Sequence, residues 1–296
     1  MFEQQWLEVD SGHRKLRVGV REGTGQGQAE HRPTPYRPTI ILLHGVTRCW
    51  RDFEPMVPFL SHDWTIFGLD HRGHGDSDRA DRYLVADYAS DLIELLEKKS
   101  FGNSVVLVGH SLGAMVAAIA ASKVPELVRA VVLEDPPFET MGESIRGTTW
   151  QRLFEGMQSV CAQGGSIDQI SQRLGSIRLP QADGTSVELK QLRTDEALRW
   201  GASCLSRLDP QVLDPLIAGR WLEGLDWSSV AQGIRCPAVL LQADFGAGGA
   251  LSDSDAKSFS EACQGSEWIR FPGKNHQLHG TIPGEIASVV NRFLTE

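Results

Sequence analysis

The chain has 296 residues, 41% of them hydrophobic, enough for one large α/β domain or a domain carrying an insertion. Its formal charge of -9, with no Lys/Arg run to neutralise phosphates, argues against a nucleic-acid partner. No segment approaches the roughly 18–20 unbroken apolar residues of a bilayer crossing, and the acidic opening MFEQQWLEVD lacks the basic start and apolar core of a secretory signal. Along the chain, Trp6–Val9 and Lys15–Val20 predict an antiparallel hairpin around Asp10-Ser11-Gly12. Residues 22–38, rich in Gly, Gln and Pro, read as a solvated loop. Short apolar strands are predicted at Thr39–Leu43, Trp64–Leu69, Ser104–Val108, Ala130–Leu133, Ala238–Gln242 and Glu267–Phe271. Helical patterns fall between them at Arg51–Leu60, Ala86–Lys98, Leu112–Val124, Asp253–Cys263 and Ile282–Leu294. Such alternation implies an α/β fold with a mostly parallel sheet covered by helices on both faces, eight strands in all once the hairpin is included.

One interval breaks the alternation. From Phe138 to about Trp227 there is no convincing buried strand, only amphipathic stretches such as Thr149–Gln158 and Thr194–Leu208. About 90 residues between two core strands is far longer than a connection, so the interval reads as an inserted helical cap over the carboxyl edge of the sheet. The expected division is a core of residues 1–137 and 228–296 and a cap of residues 138–227. Trp150, Trp200, Trp221 and Trp227 fall in the cap; ordinary packing accounts for most of them, and one or two fit the wall of a substrate cleft.

Residues 105–114 carry the most information. The β-branched run Val105–Val108 stops at Gly109-His110-Ser111-Leu112-Gly113, and the small-residue helix pattern Ala114–Ala121 follows at once. Strand, G-x-S-x-G and helix together describe a turn so sharp that its central residue is strained, with glycines where a Cβ would strike the neighbouring strand and helix. Ser111 is then held above the sheet edge as a nucleophile, and the Leu112 amide sits at a helix N-terminus that favours negative charge. Read blandly, the same run is a glycine-rich turn with an incidental serine.

Four motifs recur in order, each at the end of a predicted strand: His44-Gly45, Asp70-His71-Arg72-Gly73-His74-Gly75-Asp76-Ser77, Gly109–Gly113 and Gly273-Lys274-Asn275-His276. In these the chain resembles the α/β-hydrolase superfamily over nearly its whole length apart from the cap. The resemblance implies the chain order Ser, acid, His, and places the base at His276, with His279 as its rival. It also implies an oxyanion hole formed by the backbone amides of Val46 and Leu112. His71 and His74 read as structural, His44 as a brace for its loop, and His13, His31 and His62 as surface residues. The superfamily's usual acid follows the seventh strand in a Gly-x-x-Asp arrangement. Aligning Ala243 with that glycine puts Gly246 where the aspartate belongs, and leaves Asp244 two residues early. The sixth strand ends instead in Glu134-Asp135-Pro136-Pro137, and zearalenone lactonase-like and acetamidomethylene-succinate hydrolase-like members take their acid from this strand. Asp135 is the preferred acid, with Asp244 and Glu134 as alternatives. Arg48, beside the oxyanion loop, could bind an acid group on a substrate or be a solvated loop arginine. Cys49 lacks an elbow and an assigned base, so it does not read as a nucleophile.

The functional expectation is a cofactor-independent serine hydrolase, without metal, acting on an ester, lactone or amide of a small molecule through an acyl-enzyme. C–C bond hydrolysis or perhydrolysis by the same triad is the alternative chemistry, and a non-catalytic small-ligand receptor the alternative class. Dehalogenase and epoxide-hydrolase activities are disfavoured, because they need an aspartate where Ser111 stands. Cys49, Cys161, Cys204, Cys236 and Cys263, odd in number and without metal-ligand spacing, fit free thiols in a cytoplasmic protein. The partner expected is the substrate alone, with no nucleic acid and no membrane; a homodimer is left open.

Overall fold

The molecule is built on a run of aliphatic strands that are apolar on both sides. In the computed structural model, residues 3–10, 15–24, 38–99, 101, 105–181 and 183–294 are described. In chain order the elements begin with strands β1 (Glu3–Asp10), β2 (Lys15–Thr24), β3 (Thr39–Leu43) and β4 (Thr65–Leu69), then helix α1 (Val85–Lys98). Strand β5 (Val105–His110), helix α2 (Leu112–Lys123) and strand β6 (Val128–Glu134) follow. Next come α3 (Thr149–Gln163), α4 (Ile167–Gly175), the short strands β7 (Arg178–Pro180) and β8 (Ser186–Glu188), α5 (Asp195–Leu205), α6 (Asp214–Ile217) and α7 (Trp227–Gly233). The chain closes through β9 (Ala238–Ala243), α8 (Asp253–Ala262), β10 (Glu267–Phe271), α9 (Leu278–Thr281) and α10 (Pro283–Asn291).

Eight strands form one sheet in the order β1-β2-β4-β3-β5-β6-β9-β10. The β1–β2 and β2–β4 pairs are antiparallel and all others parallel. Alternate side chains serve opposite faces. Ile41, Leu43, Leu107, Val131 and Leu240 pack with α1, α2, α7 and α8. Ile40, Leu42, Val106, Val132 and Leu241 pack with α10 and with Phe53, Met56 and Trp64. This two-sided burial is why the parallel strands read as continuous apolar runs.

Several boundaries differ from the sequence reading. The predicted helix Arg51–Leu60 is two 3₁₀ turns, Trp50–Phe53 and Val57–Phe59, because Pro55 and Pro58 remove the amides that a continuous α-helix would need. β5 runs on through Gly109 and His110, which pair with Leu133 and Glu134, so the sharp turn begins only at Ser111. The predicted C-terminal helix Ile282–Leu294 divides into α10 and a 3₁₀ turn at Arg292–Leu294, with the one-turn α9 ahead of it. β2 takes the first residues of the predicted loop; residues 25–37, the hairpin turn at 11–14, and with them His13 and His31, lie outside the described residues. The interval between β6 and β9 holds α3 to α7 and also the antiparallel pair β7–β8, which was not foreseen. That pair buries only Leu179 among its first three residues, too little to leave an apolar run in the sequence. No helix among the described residues is long and apolar enough to cross a membrane.

The carboxyl ends of β3, β5, β6 and β10 are brought to one edge, where ligands of open α/β sheets bind. Their spacing there is set by backbone contact. A Cβ on Gly113 would stand 1.9 Å from Leu43 O, and one on Gly109 would stand 2.2 Å from Gly113 O. Gly113→Ala is therefore expected to push α2 off β3 and lower the thermal unfolding midpoint by at least ~5 °C, given a cost of about 2–3 kcal/mol for overpacking. Gly280, with nothing within 4 Å of its added Cβ, is the control. Equal midpoints for the two alanine variants would show that the helix can yield.

Candidate active site

Ser111 follows the last residue of β5 and caps α2 with φ 53 and ψ -113, a conformation L-residues rarely adopt. Its amide donates to Glu134 O at 2.8 Å, which ties the turn to the end of β6. Asp135, the first residue after β6, has φ 47, and Thr47 after β3 has φ 66. These are the three non-glycine residues with positive φ among the described residues; Thr47 and Ser111 line one cavity, and Asp135 bonds His276 on its wall. Clustered strain of this kind marks a functional site.

Asp135 is fully buried and its oxygens are saturated with donors. Oδ1 accepts from the amides of Ala243 (3.1 Å) and Leu251 (3.3 Å), and Oδ2 from the amide of Ala250 (2.8 Å) and from His276 Nδ1 at 2.6 Å. With Nδ1–H committed to Asp135, Nε2 of His276 carries the lone pair. Ser111 and His276 line the same cavity, of about 130 Å³.

The other two carboxylates considered from sequence serve different partners. Asp244 accepts from the amides of Gly246 and Gly273, both at 2.8 Å, and these bonds hold its carboxyl below the usual aspartate value. It pins the loop that leads to His276 and makes no bond to the imidazole. Glu134 faces the opposite side of β6 and accepts from His279 Nδ1 (2.8 Å) and the His279 amide (3.1 Å). His279, the rival base, is buried in α9 with its Nε2 3.5 Å from Asp52 Oδ2. Burial alone would discharge this ring, but Glu134 and Asp52 outweigh it and raise the pKa to about 10. A cation at neutral pH cannot act as a general base.

Asp52, which the sequence did not single out, is the centre of this second network. Burial opposes its charge, yet Arg48 above all holds its carboxyl well below the usual range. It accepts from Arg48 Nη2 (2.7 Å), from Trp200 Nε1 of α5 (2.7 Å) and from Gln277 Nε2 (3.2 Å). Arg48 thus lines the cavity while ion-paired, rather than lying in a solvated loop. His110, the unassigned residue of G-x-S-x-G, was also missed. Its Nε2–H donates to His276 O at 2.9 Å, and its ring packs 4.5 Å from that of His276. Burial, then the neighbouring His276, keeps it neutral. Asp52, His110 and His279 bring ligand atoms within 4.8 Å of one another, but a cationic His279 with both nitrogens facing carboxylates suits an ion-pair network, not a metal.

The loop after β3 is braced by neutral histidines. His44 Nε2 accepts from the His71 amide, His71 Nε2–H donates to His44 O, and His74 Nε2 accepts from the Thr47 amide. Burial pushes His71 down to about 3 and His74 down to about 4. Val46 lines the cavity, and Leu112 opens α2 with its side chain in the core. Cys49 Sγ lies 3.9 Å from Cys204 Sγ, away from the cavity wall. His62 is exposed. Trp150 of α3 meets His276 edge-on at 5.9 Å and, with Leu153, Phe154, Leu198 and Trp221, makes the cavity apolar. Trp227 instead donates to Phe138 O in the core.

Comparison with known proteins agrees with this architecture. A family model for the alpha/beta hydrolase fold matches residues 38–276. The 2-(acetamidomethylene)succinate hydrolase of Mesorhizobium japonicum is 39% identical over 129 residues, 42% of this chain and 46% of that protein. Methylesterase 9 of Arabidopsis thaliana is 36% identical over 95 residues, 31% of this chain and 37% of that one, so the matches span less than half of either relative. The solved structure of E-2-(acetamidomethylene)succinate hydrolase superposes with a TM-score of 0.69 at 22% identity, covering 99% of this chain and 100% of that one, a likeness of fold.

The charge on His279 sets a pH test of the second network. Its folded pKa of about 10 lies above the unfolded value of about 6.5, so its stabilisation is complete below the latter and disappears as pH rises through the former. In urea unfolding, the wild type should lose stability relative to His279→Gln between about pH 6.5 and 10, by up to ~1.4 kcal/mol per pH unit. Parallel curves for the two proteins would mean that the ring is neutral in the fold.

Proposed function

As the chain belongs to the alpha/beta hydrolase fold family, we propose that it is a cofactor-independent serine hydrolase that cleaves an ester, lactone or amide of a small molecule through an acyl-enzyme. The observation that carries this reading is the 2.6 Å bond from His276 Nδ1 to the buried Asp135, made on the wall of the cavity that Ser111 lines. Ser111 Oγ attacks the substrate carbonyl while His276 Nε2 takes its proton; Asp135 fixes the tautomer and balances the imidazolium without itself being protonated. The tetrahedral oxyanion accepts from the Leu112 and Val46 amides, the first strengthened by the α2 N-terminus. The imidazolium then protonates the departing alcohol or amine, and a water activated by the same base releases the acid. Residues 138–227 act as the cap: α3 to α5 contribute the apolar wall, exclude water and choose the substrate.

Ser111→Ala should fold normally, lose turnover and lose labelling by a fluorophosphonate probe; labelling that persists would exclude Ser111 as the nucleophile. Asp135→Asn should keep the fold and depress kcat by as much as ~10⁴-fold, the effect of a triad histidine held in the wrong tautomer. Asp244→Asn, which touches only loop amides, should cost far less. The reverse ranking in steady-state kinetics would move the acid to β9.

A further inference from the structure

Among the described residues that line the Ser111 cavity there are two guanidinium groups, Arg48 and Arg193, and no carboxylate. Both stand where this cavity opens into an outer cleft of about 1050 Å³, at a junction shared with Ala197, Asn275 and Gln277; the outer cleft beyond it also carries Asp52, which is committed to Arg48, and Glu54 and Glu196. Arg48 gives Nε and Nη2 to Asp52, while its Nη1 points to Gly201 on the cavity wall, 4.0 Å from where a Cβ would stand. Arg193 is placed differently. It is exposed even as part of it lines the cavity, no hydrogen bond or ion pair holds it among the described residues, and the Arg48 cation acts on it. Partial burial, then that like charge, both push its guanidinium below the usual arginine value. Arg48 already has Asp52 as its counter-charge, so Arg193 is the cation left uncompensated, and an anion at the junction would supply its partner. Planar forks with donors to spare match a carboxylate best.

We propose that Arg48 and Arg193 form a subsite for a carboxylate, so that the substrate is a small ester, lactone or amide bearing a free acid group. The word substrate rests on the hydrolase reading above; the anion site stands on its own geometry. The carboxylate occupies the junction, and the remainder of the molecule extends along the apolar wall toward Ser111. The apolar chamber accounts for chain fit, and the arginine pair accounts for selection between an acid and its neutral isostere.

Calorimetric titration with succinate and with inorganic phosphate tests the site directly. Succinate should bind the wild type, about 10–100-fold more weakly Arg193→Gln, and with intermediate strength Arg193→Lys, which keeps the charge but not the fork. Equal succinate affinity in wild type and Arg193→Gln, no binding by the wild type, or phosphate binding as tightly as succinate would overturn the proposal. In turnover, 4-nitrophenyl hemisuccinate should exceed 4-nitrophenyl butyrate in kcat/KM by tenfold or more, and Arg193→Gln should erase that ratio. A ratio unchanged in the variant counts against the subsite. Arg193-dependent succinate binding by a protein that fluorophosphonate does not label would uphold the subsite and overturn the hydrolase reading.

Discussion

A single buried charge organises the site. Asp135 has no access to solvent, so its carboxylate must be met by donors from the protein, and those donors come from three separate stretches of chain. The amide of Ala243 ends β9, the amides of Ala250 and Leu251 lie beyond the following loop, and the imidazole of His276 follows β10. The exit from β9 therefore curls around a carboxylate that arrives from the next strand. This explains why the position after β9, where the superfamily usually carries its acid, can be Gly246. That loop supplies amides to the acid instead of supplying the acid.

Consecutive residues at the carboxyl end of β6 then do parallel work on opposite faces. Asp135 takes His276, and Glu134 takes His279, three residues further on. The first pair holds a ring over the cavity. The second anchors the backbone just beyond it, through a chain of alternating charge that runs Glu134, His279, Asp52, Arg48. Trp200 donates into the same chain from α5, so the region between β6 and β9 is coupled to the histidine loop by a half-buried hydrogen bond as well as by apolar contact.

Much of this was legible in the sequence because it is local. The apolar runs Thr39–Leu43 and Ala238–Ala243 announce buried parallel strands, and the small residues after Ser111 announce a helix packed closely on its neighbours. Asp135 was preferred over Asp244 on the chain positions of Gly246 and the β6 tip, and the geometry pairs Asp135 with His276. What was not legible depends on contacts between residues far apart in sequence. Asp52 and His279 are 227 positions apart by their numbers, and nothing in the spelling of either segment pairs them. His110 was passed over because the x of G-x-S-x-G carries no fixed chemistry, although its bond to His276 O ties the end of β5 to the loop that carries His276. The prolines at 55 and 58 were visible, and should have ended the predicted helix there.

Thr47, Ser111 and Asp135 each keep a backbone geometry that glycine would occupy freely, at a cost on the order of 1–3 kcal/mol apiece. The strain is concentrated at the reacting edge and is borne by the packed strands beneath it. Replacing Ser111 with glycine relaxes that turn while deleting the hydroxyl, so on the proposed mechanism the variant would be inert and would outlast its parent on heating. Such a form, sturdier than its parent and unable to consume what it binds, is a natural receptacle for capturing an uncleaved ligand from a mixture.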